Sequence, residues 1–294
     1  WWSWNDDAIA LFESLDPEAW QAVEHNPIHL MEGLSIKKME AIEKDVAFVE
    51  RINQVYSRFL KYMDGASKNP DRIAYFSMEY GLHKSLKIYS GGLGILAGDY
   101  LKEASDSAVN MVGIGLLYRY GYFQQDISLN GDQIADYIPQ KFTHLPLEPV
   151  RDENGEWITV SLALPGRTVI AKAWKVSVGR VPLYLLDTDI EENQSNDRSI
   201  THQLYGGDSE MRFKQEMILG IGGIRLIEKL QLEPTIFHSN EGHAAFIGLE
   251  RLRVLMDENQ LSFDVAKEIV RGSTLFTTHT PVPAGHDAFE EHLL

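Results

Sequence analysis

Residues 89–106 read YSGGLGILAGDYLKEASD, a cluster of glycines followed at once by a run that looks helical. A short apolar run, IAYFSM, precedes this stretch at 73–78, and another, MVGIGLLYRYGYF, follows it at 111–123. The same alternation returns later as helix, strand, helix and strand at 208–230, 235–240, 241–256 and 273–280. Strands that alternate with helices are typical of a mainly parallel sheet with helices on its faces. The sequence therefore predicts an α/β fold.

An all-helical leader is predicted in front of this sheet, over residues 1–68, and the α/β domain over 69–294. Asp16 and Pro17 have the residue types preferred at the N-cap and first position of a helix. Residues 39–63 show a long 3.6-residue periodicity. Four aromatic side chains either form a platform for a sugar or, as we expect, pin the leader to the domain: Trp1, Trp2, Trp4 and Trp20.

Residues 157–188 predict three consecutive strands, joined by tight turns at Pro165-Gly166 and Gly179-Arg180. Because this segment interrupts the alternation of strands and helices, we expect it to be an insertion that lies against the main sheet.

The composition excludes several classes of function. The 294 residues carry a formal net charge of -16 and no cysteine, which disfavours nucleic acid and anionic membranes as partners and excludes thiol chemistry. No apolar run approaches the about 18 residues that span a bilayer, and no signal sequence opens the chain. We therefore expect a soluble, cytoplasmic protein. The abrupt first and last residues suggest part of a longer one.

The glycine cluster lies where open parallel sheets bind ligands, in a loop that follows the carboxyl end of a strand. Residues 92–97 fit the G-x-G-x-x-G/A dinucleotide pattern. That pattern should follow its strand immediately and be followed by an acidic residue that holds the ribose, and neither holds here. A glycine-lined helix N-terminus can instead hold an oxyanion through its free amides. Close packing of helix and sheet is the alternative, and the spacing leaves both open.

Two later loops are also unusual. HSNEGH carries His238 and His243 at a spacing that does not suit a helical zinc pair, so we predict no metal site. Asn240 in this loop either caps the next helix or helps to bind a hydroxyl-rich substrate. THTPVPAGHD is stiffened by prolines, which either fixes His279 and nearby carbonyls for electrostatic work or forms a rigid structural turn.

Seven motifs, taken together and in order, resemble the α-glucan phosphorylase family, the glycogen and maltodextrin phosphorylases, over almost the whole chain. They are YFSMEYG, YSGGLGILAGDYLKEASD, GYFQQDISLNGDQ, YLLDTD, LYGGDSEMRFKQE, FHSNEGHAAF and FTTHTPVPAGHDAF. The resemblance implies two Rossmann-like domains that face each other across a cleft, the GT-B glycosyltransferase fold. This chain would supply the helical leader and the amino-terminal domain.

The resemblance also implies site residues. His279 matches a catalytic histidine whose backbone carbonyl faces the sugar and whose side chain touches the 6-hydroxyl. The residues that match substrate- and phosphate-binding positions are Gly91, Gly92, Leu93, Glu79, Asn240, Glu241 and His243. Glu241 departs from the family's Asn-Asp-x-His run by one methylene, and the family's gate loop has no counterpart in QLYGGDSEMR.

The implied reaction is phosphorolysis of an α-1,4-glucan by orthophosphate to glucose 1-phosphate, with retention and with pyridoxal phosphate (PLP) as cofactor. We expect the PLP lysine beyond Leu294, so that this chain alone neither holds PLP covalently nor has activity. The expected partners are glucan, orthophosphate, the carboxy-terminal half of the same protein and a possible second copy. An allosteric enzyme is implied by the family.

Two other functions stay open. A glucan synthase has the same architecture, but TPVPAGHDAF is phosphorylase-like and the synthase lysine near GGLG is not found here. A non-catalytic glucan-binding module is the other possibility.

Overall fold

The computed structural model describes residues 1–65, 67, 69–281 and 288–293. Its α-helices are α1 (Asp6–Leu15), α2 (Pro17–Ala22), α3 (Pro27–Gly33), α4 (Ile36–Lys44), α5 (Val46–Met63), α6 (Gly92–Asp106), α7 (Ser195–Arg198), α8 (Ser209–Met217), α9 (Gly223–Lys229), α10 (Phe246–Asp257) and α11 (Phe263–Gly272). Its strands are β1 (Ile73–Phe76), β2 (Met111–Leu116), β3 (Gln124–Ile127), β4 (Gln133–Asp136), β5 (Glu148–Pro149), β6 (Thr159–Leu164), β7 (Arg167–Val178), β8 (Val181–Asp187), β9 (Ile236–Asn240) and β10 (Thr274–Thr277).

One mixed sheet holds the domain together, in the order β10–β9–β1–β2–β8–β7, with β5 and β6 both paired to β7. The strands from β10 to β8 are parallel, and β7 runs antiparallel to β8. The predicted α/β fold, with a mostly parallel sheet behind a helical leader, is confirmed.

The expectation of a separate three-strand insertion is wrong. The strand β8 pairs directly with β2, with Gly113 opposite Leu183, and the antiparallel strands β7 and β6 widen the same sheet. The physical reason is the burial of β8, whose run Leu185–Asp187 is inaccessible to solvent. A strand of this kind belongs inside a sheet that is covered on both faces.

Helices cover both faces of the sheet. Two consecutive residues of β2 face different helices. Gly113 faces α6, since a Cβ added to it would lie 3.2 Å from the Leu101 side chain. Ile114 faces α9, since a Cβ added to Gly223 would lie 2.7 Å from the Ile114 side chain. Because consecutive strand residues point to opposite faces, α6 and the α8–α9 helix lie on opposite sides. The helices α8 and α9 form one continuous helix, as the sequence predicts, because a π-helical turn at Ile218–Gly222 joins them.

The periodic stretch at 39–63 forms two helices instead of one. The Oδ1 of Asp45 accepts a hydrogen bond from the Phe48 amide at 3.0 Å and caps the start of α5. An aspartate at this position satisfies an amide that a continuous helix would have bonded to its own carbonyls.

Two of the four tryptophans pin the leader to the domain, as predicted. The Nε1 of Trp4 donates to Asp106 at 3.2 Å, and the Trp2 ring centre lies 4.8 Å from that of His83. Trp20 is instead buried within the leader, and Trp1 packs on α5.

The leader also holds the carboxyl end of α6. The Tyr62 hydroxyl lies 2.5 Å from the Ser105 Oγ and donates to Asp106 at 2.7 Å. The Arg180 guanidinium donates to the Tyr62 carbonyl at 2.6 Å and lies 3.8 Å from the centre of that ring. These contacts join α5, α6 and the β7–β8 turn at one point.

Candidate functional site

The site lies at the carboxyl ends of three neighbouring parallel strands, β10, β9 and β1. Phe76 at the end of β1 lies opposite Ser239, and Thr277 at the end of β10 lies opposite Asn240. Since these strands end at the same edge of the sheet, the loops that follow them meet there. Glu79 belongs to one of these loops.

Asn240 is the centre of this junction and is fully buried. Its Nδ2 donates to the Ser77 Oγ at 3.1 Å, and its Oδ1 lies 2.8 Å from the His279 Nε2. Because an amide Oδ1 can only accept, Nε2 carries the proton and the Nδ1 of a neutral imidazole is an acceptor. Asn240 therefore joins two strand ends, and its side chain does not cap the next helix.

Glu241 fixes the chain around His279. Its backbone has φ 64° and ψ -179°, a conformation that is essentially limited to glycine and costs about 1–3 kcal/mol. Its Oε1 accepts hydrogen bonds from the amides of His279 and Thr280. Burial acts to raise the pKa of Glu241, but these amides outweigh burial and hold that pKa below its ordinary value. The carboxylate is thus charged and anchors residues 279–280.

Glu79 holds the start of the glycine loop. Its side chain is only 3% exposed, and its Oε2 accepts from the Ser90 amide at 2.8 Å and the Gly91 amide at 3.3 Å. Its Oε1 accepts from the Tyr205 hydroxyl at 2.5 Å. The Gly91 amide is therefore bound to protein, and the amides that follow it are the ones that can face a ligand.

Those amides lie at the first turn of α6. The first hydrogen bond of the helix runs from the Ile95 amide to the Gly91 carbonyl, so the amides of Gly92, Leu93 and Gly94 have no acceptor within the helix. Gly91 and Gly92 are exposed, and no atom lies within 4 Å of a Cβ added to either. The conformation of Gly91, φ -155°, is open to any residue. Nothing in the described fold requires glycine at these two positions.

The other glycines of α6 serve packing. A Cβ at Gly94 would lie 2.5 Å from the Tyr89 Cβ, and one at Gly98 would lie 2.1 Å from the Gly81 carbonyl oxygen. The Gly81 amide donates to the Gly94 carbonyl at 2.7 Å, so the two backbones are in direct contact. The packing interpretation therefore holds for Gly94 and Gly98, whereas anion binding beside Gly91 and Gly92 stays a prediction.

His243 and His279 complete the set. His243 is buried, and its ring centre lies 5.7 Å from that of Tyr205, while the side chain of His279 is exposed. The structure therefore brings all of the predicted site residues to one edge of the sheet. Most of the proline-rich turn, residues 282–287, lies outside the described residues, so its predicted stiffness stays a prediction.

Sequence reasoning missed three side chains of this network: Ser77, Ser90 and Tyr205. Ser77 directly follows the buried strand β1, a position that could have been noticed. Tyr205 stands before two glycines in LYGGD, a segment to which the family resemblance assigned nothing. Only the folded chain shows that it reaches Glu79.

Among the described residues, no helix is long and apolar enough to cross a membrane. In the same ranges, no group of three or more histidine, aspartate or glutamate side chains is arranged to hold a metal ion.

The fold is that of an α/β protein, and its polar candidate site lies at the carboxyl ends of parallel strands. Residues 1–86 match a family described as "Protein of unknown function (DUF3417)". The chain is 44% identical over 297 residues to the maltodextrin phosphorylase of Thermococcus litoralis, a match that covers 98% of this chain and 36% of that protein.

Two further relatives agree. The chain is 44% identical over 308 residues to the glycogen phosphorylase of Mycobacterium tuberculosis, covering 98% of this chain and 36% of the relative. It is 38% identical over 298 residues to the glycogen phosphorylase of Aquifex aeolicus, a match that covers 100% of this chain and 43% of that protein. The chain belongs to the α-glucan phosphorylase family, and it spans less than half the length of these relatives.

Proposed function

We propose that this chain supplies the glucan- and phosphate-facing part of a longer α-1,4-glucan phosphorylase. The observation that carries the proposal is the exposed first turn of α6, where amides without helical acceptors stand beside two glycines that the fold does not require. A helix N-terminus of this kind favours an anion such as orthophosphate.

Bare backbone suits this task for a physical reason. Amides of Gly92 and Leu93 can approach a phosphate dianion without a lysine that would move or neutralise it. A Cβ at Gly92 has open space in the free protein, so it would occupy the volume of the ligand. A displacement of about 1 Å costs on the order of a hundredfold in rate, and loss of one oxyanion donor costs about 10²–10³.

In the proposed reaction, the bond between C1 of the terminal glucose and the glycosidic oxygen breaks. A phosphate oxygen bonds to C1, and the proton of orthophosphate passes to the leaving oxygen. The His279 carbonyl would stabilise positive charge on C1. The Nδ1 of His279 would accept from the 6-hydroxyl, because Asn240 already engages Nε2. Glu241 would hold His279 in place through its amide.

The residues of this site do not fit covalent attachment of PLP. Within the described part of the chain, the hydrogen-bond network around Asn240 and Glu79 includes no lysine amine. We propose that PLP, which the family implies, is held by the part of the protein outside these 294 residues.

The remaining parts of the proposal concern organisation. Residues 1–68 form the leader and residues 69–294 the amino-terminal domain of a GT-B fold, which closes on a carboxy-terminal half. The substrate cleft lies between the halves. The whole enzyme works in the cytoplasm, under allosteric control and as a possible homodimer.

The experiment uses the full-length protein with maltodextrin and orthophosphate, and it measures release of glucose 1-phosphate. We expect release by the wild type, and a fall of about a hundredfold in kcat/KM for orthophosphate in Gly92→Ala. The matched control is Gly33→Ala in the leader, where an added Cβ also meets no atom within 4 Å. Sugar transfer from a nucleotide sugar with no phosphorolysis would identify a glucan synthase and overturn the proposal.

A further inference from the structure

Tyr205 connects the second half of the site to the glycine loop. It lies between α7 and α8, far from Glu79 in sequence, yet its hydroxyl donates a hydrogen bond to the Glu79 Oε1 at 2.5 Å. The other oxygen of the same carboxylate accepts from the amides of Ser90 and Gly91. The Ser90 hydroxyl also donates to this second oxygen, at 3.5 Å. From the described residues the carboxylate therefore receives four hydrogen bonds, of which the one from Tyr205 alone comes from outside the glycine loop.

The position of Tyr205 is itself strongly constrained. Its φ is 56°, a left-handed conformation that is uncommon for an aromatic residue. The Arg212 guanidinium lies 4.2 Å from the centre of its ring, a cation–π distance. Gly207 follows with φ 82°, where an added Cβ would lie 2.7 Å from the Met211 side chain. The backbone turn and the arginine together aim the phenol at Glu79.

The chemistry of the pair favours a fixed geometry. Burial, together with the charge of the Glu79 carboxylate, holds the pKa of the Tyr205 hydroxyl far above its usual range. The phenol therefore stays protonated and donates. Hydrogen bonds to a charged acceptor are shorter and stronger than neutral ones. Without this donor, one oxygen of a buried carboxylate would lose its partner, and the bonds to the other oxygen alone would hold the orientation of the carboxylate.

We propose that Tyr205 is a positioning residue for phosphate binding. It holds Glu79 in the one orientation that ties down Ser90 and Gly91, and it thereby aims the exposed amides of Gly92 and Leu93 at the ligand. The inference rests on the proposed function and adds to it a residue that touches neither substrate nor cofactor.

The test is Tyr205→Phe in the full-length protein, which keeps the ring and its contact with Arg212 but removes the hydroxyl. We expect KM for orthophosphate to rise roughly tenfold, while KM for maltodextrin stays unchanged. The thermal unfolding midpoint should fall, because a buried carboxylate oxygen loses its donor. Hydrogen exchange of the peptide over residues 89–94 should become faster, because the Ser90 and Gly91 amides lose a fixed acceptor. Tyr56→Phe, at a side chain 56% exposed in α5, is the matched control.

A double-mutant cycle with Glu79→Gln gives a second readout. If Tyr205 acts through Glu79, the effects of the two substitutions on KM for orthophosphate are not additive. Additive effects, an unchanged KM for orthophosphate or an equal rise in KM for both substrates would overturn the inference. A wild type that does not phosphorolyse glucan refutes the proposed function instead. In that case, unchanged exchange of residues 89–94 in Tyr205→Phe would separately refute the positioning role.

Discussion

Gly98→Ala tests whether the close contact of α6 with residue 81 is a structural requirement. The new Cβ would lie 2.1 Å from the Gly81 carbonyl oxygen and 2.5 Å from its carbonyl carbon, both below the 3.0 Å that real Cβ contacts essentially never fall under. Both neighbours are backbone atoms, and the Gly81 amide is bound to the Gly94 carbonyl, so no side chain can rotate away.

Overpacking of this kind typically costs about 1–3 kcal/mol, and a backbone clash lies at or above the upper end. Alanine gains back about 1 kcal/mol of helix propensity. We therefore expect Gly98→Ala to lower the free energy of unfolding by at least about 2 kcal/mol, measured by thermal unfolding of the full-length protein. Hydrogen exchange at the Gly81 amide should accelerate. Gly33→Ala in α3, which gains helix propensity and meets no atom within 4 Å, should neither lower the free energy of unfolding nor change this exchange. A stability within about 0.5 kcal/mol of wild type would refute this account of the glycine cluster.

Three further predictions concern other contacts. Because the pKa of Glu241 is lowered in the folded state, its contribution to stability is present above its unfolded pKa of ~4.3 and is lost as pH falls through the lowered value. As the pH is lowered, the free energy of unfolding should therefore fall less steeply in Glu241→Gln than in the wild type. Equal slopes against pH would contradict this. Asp45→Ala should lower the free energy of unfolding by about 1 kcal/mol, because α5 loses its N-cap. A thermal unfolding midpoint equal to that of the wild type would contradict this. Tyr62→Phe removes the bonds to Ser105 and Asp106, so limited proteolysis should cut the leader faster; an unchanged rate would mean that these bonds do not hold it.

The sequence predicted those features that depend on local pattern. The alternation of strands and helices after residue 73, the N-cap at Asp16 and the turns at 165–166 and 179–180 are all present. It also singled out three loops that follow predicted strands, and these loops meet because the carboxyl ends of parallel strands share one edge. Asn240, Glu241 and His279 follow from that rule and from the family resemblance.

What the sequence could not predict depends on contacts between distant segments. Whether β8 joins the sheet or lies against it depends on pairing with β2, which periodicity does not encode. The helix break at Asp45 reflects a choice between two ways to satisfy one amide, and both fit the same pattern. Tyr205 meets Glu79 across 126 positions of sequence, so no local signal announces it.

The helix α6 has a role at each of its ends. Its 15 residues form a stiff rod of roughly 22 Å. At its carboxyl end, Tyr62 and Arg180 form hydrogen bonds with Ser105. At its amino end lie the backbone amides that have no acceptor within the helix. Because the helix is stiff, a displacement of its carboxyl end would also displace its amino end. If the proposed phosphate site is correct, substitutions in the leader that move the carboxyl end of α6 should change the affinity of that site for phosphate.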